Sequence, residues 1–151
     1  MTNAAPPIAW SNRQRGVSAA ALQLPRARRI VAAALPAVIE ARRRGSVLAS
    51  LDEIHLVLVS DRRIAALHAE FMGDPSPTDV ITFLHGEIVI SAETAQREAC
   101  ARRLAPGDEL ARYAVHGLLH LAGWLDGDPE AAAEMREVQE KILRRAGRRL
   151  C

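Results

Sequence analysis

The chain is poor in several features that commonly announce a function. Aromatic residues make up only 3% of its 151 residues, so platforms for stacking unpaired bases are scarce, and stacking is not expected to be its main grip on nucleic acid. Its two cysteines, Cys100 and Cys151, lie far apart and form no Cys-x-x-Cys pair. That excludes a disulfide framework and a cysteine metal motif, and it fits a reducing compartment. No apolar run reaches the ~18 residues that a membrane span needs. Met1 to Gly16 also lacks a basic segment followed by an apolar core, so the expectation is a cytoplasmic protein with no membrane partner. Lysine is nearly absent: of 20 basic residues set against 18 acidic ones, all but Lys141 are arginine. A net charge of +2 is compatible with RNA without requiring it, and an Ala-rich, Arg-rich composition also follows from GC-rich coding.

What is present is ordinary globular material, 49% hydrophobic and 25% charged, in a length that suits one domain over residues 1–151. Residues 1–7 read as a frayed tail and Ile8 to Ser11 as a short strand. From Pro25 to Arg44, Ile30, Val31, Ala34, Leu35, Val38 and Ile39 recur at helical spacing, with Pro36 as an expected kink. Ile54 to Ser60 is β-branched and strand-like, and Asp61 offers an N-cap for a helix through about Phe71. Turn residues from Gly73 to Thr78 lead into strands at Val80 to Phe83 and Ile88 to Ile90, joined through His85-Gly86. Helices follow over Ser91 to Arg103, with Ser91 or Thr94 as cap, over Asp108 to Ala122, and from the cap Asp128 through Pro129 to about Arg145. The pattern predicts an α+β fold: a small sheet of about four strands with about five helices around it. The arginine runs at 42–44 and 144–149 read as solvated helix ends.

The informative stretch runs from His116 to Asp126. Residues four apart share one helix face, so His116 and His120 can reach a single metal ion. Gly123 can end that helix, and the returning chain offers Asp126 as a third ligand. Asp128 is the rival, but it has a competing role as the cap before Pro129. A bare His-x-x-x-His also occurs in cores, where carbonyls satisfy the rings. Here the surrounding helix is so apolar that two imidazoles need buried partners, which a metal supplies. Gly117 stands where zincin peptidases carry glutamate, which argues against peptide hydrolysis. Three protein ligands with an open fourth position describe a catalytic site suited to activating water for hydrolysis.

At His116, Gly117, Leu119, His120, Leu121 and Gly123 the chain resembles the YbeY-type ribosomal-RNA maturation endoribonucleases, whose signature is His-Gly-x-Leu-His-Leu-x-Gly-x-Asp-His. A second block, Thr78-Asp79-Val80-Ile81-Thr82-Phe83 with Gly86 to Ser91, is similar to another stretch of that family. The resemblance implies a cytoplasmic, zinc-bound, single-strand endoribonuclease of ribosomal-RNA maturation and ribosome quality control, with one zinc ion and with RNA and ribosome-assembly factors as partners. Two departures stand out. The family's third histidine falls on Asp126 and the preceding Asp on Leu125; a carboxylate in that place cancels one positive charge and weakens the Lewis acid. The family's Tyr-Arg-Gly becomes Phe71-Met72-Gly73, removing an arginine suited to phosphate. Arg62 or Arg63 is a nearby substitute. These departures motivate the alternative of a ribosome-assembly binding module with a structural or residual metal site.

Of the other polar residues, Asp79 is read as shaping its turn, with Thr78 bonding locally. Glu87 is read as a strand-edge group, with a base or histidine partner as the alternative. His55 and His68 lack ligand spacing to the main pair, and His85 is read as a turn residue, with a place in the cleft lining as the alternative.

Overall fold

A computed structural model describes residues 5–76 and 78–150. Its described elements are β1 (Ile8–Asn12), α1 (Leu24–Glu40), β2 (Ile54–Val59), α2 (Asp61–Met72), β3 (Val80–Phe83), β4 (Glu87–Ser91), α3 (Ala92–Arg102), α4 (Pro106–Leu121) and α5 (Pro129–Arg149), with a short 3-10 turn at Leu48–Ser50. The sheet order is β1-β2-β4-β3. β1, β2 and β4 run parallel, with Leu56 beside Trp10 and Ile88. β3 returns antiparallel along β4 and pairs Ile81 with Val89. The α+β expectation of four strands and five helices therefore holds.

β2 is central, and its near-continuous apolar run reflects burial on both faces. Ile54, Leu56 and Leu58 enter the main core with Ile88 and Ile90. Val57 and Val59 face the other way and pack with Ile64 of α2, Ile81 and Val89. Helix α4 carries much of the main core, from Leu110 to Leu121. It packs against α1, α3 and α5 and against β3 and β4, so it is a buried central helix.

Four local expectations change. Residues 5–7 are not a loose tail: Pro6 is buried, and the Pro7 carbonyl accepts the Ile54 N–H at 2.9 Å, extending the ladder; residues 1–4 lie outside the described residues. Ser60, not Asp61, caps α2, its side chain accepting the Arg63 N–H at 3.1 Å. The preceding residue sits in the extended conformation a cap requires, which leaves the Asp61 carboxylate for other partners. Helix α1 ends at Glu40, so Arg42 to Arg44 lie in the loop after it. Arg43 is not simply solvated: its N–H reaches the Ala122 carbonyl at 2.8 Å, and its guanidinium lies 4.0 Å from the Trp124 ring centre. Finally, α5 continues to Arg149.

Candidate metal centre

Helix α4 starts with Pro106 in its first turn and Asp108 and Glu109 beside its positive end. Its last turns carry His116 and His120 on the face towards β3 and α5. Gly117 allows the close approach to the sheet, because a Cβ there would sit 2.7 Å from Ile88 Cγ2 and 2.9 Å from Thr82 Oγ1. Gly123 stops the helix with φ of +93°, a conformation that disfavours a side chain. Trp124 is then pinned, donating its Nε1–H to the Ala41 carbonyl at 3.0 Å beneath the Arg43 guanidinium. This anchored turn brings Asp126 back over the histidines.

His116, His120 and Asp126 converge. The two Nε2 atoms are 3.1 Å apart, and Asp126 Oδ2 lies 3.4 Å from that of His116 and 3.3 Å from that of His120. On the opposite side of each ring, His120 Nδ1 meets the Trp124 carbonyl at 3.0 Å and His116 Nδ1 meets Gln139 Oε1 at 2.8 Å. A carbonyl only accepts, so His120 Nδ1 carries the proton and, in the neutral ring, Nε2 presents its lone pair. Gln139 Nε2 points at Glu140 Oε1, 3.4 Å away, which turns the amide oxygen to His116 and assigns the same tautomer. Three electron pairs therefore face one point with no proton between them in the neutral rings.

The spacing suits a cation. A tetrahedral ion with bonds of about 2.05 Å separates its ligand atoms by about 3.3 Å, close to the three distances found here. The donor set thus fits a metal ion, with the outer nitrogens held as histidine ligands generally are. Asp128, the rival third ligand, instead caps α5 by accepting the Ala131 N–H at 2.8 Å.

The group lies where two arms of a cleft meet. One arm holds Tyr113, Arg102, Arg112 and Arg136; the other holds Met72, Leu84, Trp124 and Leu125, and Asp79, His116 and Asp126 line both. Met72, Leu84 and Leu125 are 58%, 65% and 66% exposed, an apolar rim beside the histidines. Arg112 forks onto Glu140 at 2.8 and 3.1 Å and reaches buried Glu109 at 2.8 Å. Its hydrogen bonds hold Glu140 below the usual carboxylate range despite partial burial. Burial, with the charge of Glu109 adding to it, pushes the Tyr113 phenol upward, so it stays protonated near neutrality.

Other histidines stand apart. His55 hydrogen-bonds Ser11 Oγ at 2.7 Å, His68 meets the Ser76 carbonyl at 2.9 Å, and His85 stacks on Phe83 with ring centres 5.6 Å apart. Asp79 shapes its turn by accepting the Val80 N–H at 2.8 Å. Glu87 opens β4 and has no hydrogen bond to either cleft histidine among the described residues. Sequence reasoning missed Gln139 and the Trp124 carbonyl. Gln139 left one signal, a polar residue on the core-facing stripe of α5 between Met135 and Ile142.

Fold and site together define a class: α+β proteins with a two-histidine, one-carboxylate donor set on a buried helix at the foot of an open cleft. The chain belongs to the Endoribonuclease YbeY family, whose model matches residues 12–147. It is 42% identical over 105 residues to "Endoribonuclease YbeY" of Anaeromyxobacter sp. strain Fw109-5, covering 63% of this chain and 55% of that protein. It is 36% identical over 130 residues to the Gluconobacter oxydans protein of the same name, covering 82% of this chain and 76% of that protein. A solution structure of a Thermotoga maritima protein shares the fold, with a TM-score of 0.57 and 24% identity over 92% of this chain and 88% of that one.

Proposed function

We propose that this protein is a zinc-dependent endoribonuclease that cuts single-stranded ribosomal RNA in the cytoplasm, in ribosome maturation and quality control, with His116, His120 and Asp126 as the metal ligands. The observation that carries the reading is the convergence of both Nε2 atoms and Asp126 Oδ2 within 3.1 to 3.4 Å of one another. Family membership supplies the substrate class. Two nitrogens and one oxygen at tetrahedral spacing favour zinc over the oxygen-seeking magnesium and calcium.

Such an ion supplies Lewis acidity, polarising a phosphodiester oxygen and activating water. The chain does the rest. Gln139 and the Trp124 carbonyl hold the rings in the ligating tautomer. Asp126 lowers the charge of the site, while the exposed side chains of Met72, Leu84 and Leu125 offer apolar surface to the faces of unpaired bases. Paired bases hide those faces, which supports a single-stranded substrate.

The alternative, a ribosome-assembly binding module with a structural metal, draws on Met72, an apolar residue lining the cleft where the resemblance leads one to expect arginine. Metal analysis and RNA cleavage separate the two. Wild type is expected to carry about one zinc per chain, and His116→Ala to lose both the zinc and, by on the order of 10³-fold or more, RNA cleavage. Protein free of tightly bound metal, or cleavage unchanged in His116→Ala, sinks the nuclease reading.

A further inference from the structure

We infer that Arg136 is the cation that receives a phosphate of the RNA strand in this cleft. The inference rests on the RNA substrate proposed above and deepens it. Arg136 lies on α5 three residues before Gln139, so it shares the helix face that meets His116, and it lines the cationic arm together with that histidine and Asp126.

Charge accounting singles it out. That arm carries three guanidiniums, from Arg102, Arg112 and Arg136, against four carboxylates, from Asp79, Glu109, Asp126 and Glu140. A divalent ion brings the balance to a single positive charge, and without Arg136 it would be zero. The other two guanidiniums are already opposed: Arg112 is forked between Glu140 and Glu109, and Arg102 lies 3.6 Å from Glu98 and 3.7 Å from Glu109. Arg136 is exposed and makes no ion pair or hydrogen bond among the described residues. Its five donors are therefore free for an anion, and a guanidinium matches two phosphate oxygens at once. Because Asp126 removes a charge that a neutral ligand would leave on the metal, a cation beside the metal matters more here.

The test uses zinc-loaded full-length chain and a short single-stranded oligoribonucleotide, with binding followed by fluorescence anisotropy across a salt series and cleavage followed in parallel. Arg136→Ala is expected to weaken binding roughly tenfold and to reduce the slope of log K against log salt by about 0.7, the value for one phosphate on a single strand. Arg136→Lys should keep most of the slope while losing part of the affinity. Arg148→Ala serves as the control, 12 residues or about 18 Å further along the helix, and should match wild type. Because Arg136 is exposed and unpaired, its loss should leave the melting temperature unchanged.

Binding and cleavage in Arg136→Ala equal to wild type would overturn the inference and leave the nuclease reading standing. So would an equal loss in Arg148→Ala, which would mark a diffuse effect of net charge. RNA binding that depends on Arg136 in a wild-type protein without cleavage would support the inference while sinking the nuclease reading. Wild type that binds no RNA overturns both.

Discussion

Two polar clusters sit at the edges of the same core and are satisfied in opposite ways. Around Asp61, each acceptor has a donor: Ser91 Oγ and Thr94 Oγ1 both donate to Oδ1 at 2.6 Å, and Arg97 reaches Oδ2 at 2.6 Å. Around His116, three acceptors face one another, and the Nδ1–H donors of the two rings point the other way, onto the oxygens of Gln139 and Trp124. A cluster that closes on itself ties elements together, here the start of α2 to the start of α3. One whose lone pairs converge without a proton leaves a charge to be supplied from outside, and that difference separates a structural polar group from a candidate metal centre.

Exchanging the two roles by mutation tests the contrast. The largest effect is expected at Gln139, where Gln139→Met keeps the bulk and removes the acceptor behind His116. Zinc affinity should fall by 10–100-fold, or about 1.4–2.7 kcal/mol, measured by competition with a chromophoric chelator. Unchanged affinity would show that the ring is oriented by other means.

Asp61→Asn should show the reverse pattern: intact zinc binding but a stability loss of about 1–2 kcal/mol in urea unfolding at neutral pH. Burial alone would raise the pKa of Asp61, but the hydrogen bonds from Arg97, Ser91 and Thr94 hold it below its ordinary value of 3.8. A carboxylate with a lowered folded-state pKa contributes stability that is fully present above its unfolded value and lost as pH falls through its folded one. The wild-type advantage over Asp61→Asn should therefore be constant near neutrality and shrink below about pH 3.8. An advantage that persists undiminished in acid would remove the charge from the explanation.

The smallest effect separates the two aspartates near the cleft. Asp128→Ala removes a helix cap and should cost about 1 kcal/mol, with zinc content unaltered, whereas Asp126→Ala should lower zinc content with little change in the stability of the metal-free protein. Zinc loss in Asp128→Ala would reverse the assignment of the third ligand.

Much of the fold was legible because its signals are local. Runs rich in β-branched residues marked β2, β3 and β4, and Ser91, Asp128, Pro129 and Gly123 marked helix ends through backbone chemistry that acts within a few residues. The cap of α2 was misplaced by one position, since Ser60 and Asp61 carry equivalent capping oxygens. Only the tertiary position of α3 decided which of them was already engaged. Arg43 was misread for a similar reason: nothing local links it to Trp124, 81 positions away, until α1 packs on α4.

The candidate site divides along the same line. Sequence by itself determined the pair His116 and His120 and the stop at Gly123, and favoured Asp126 over Asp128 on the returning chain, because helical periodicity and a left-handed glycine are properties of neighbouring residues; the fold then separated the two aspartates. Tertiary structure alone decided that Gln139 orients His116, that Asp79 and Met72 share the cleft, and that Arg102 and Arg112 are opposed by carboxylates while Arg136 is not. Those relations join α5, α4, α3 and the β3 loop across the core. They depend on how helices pack, which local preferences do not encode, and the tautomers and charge balance of the cleft follow from that packing.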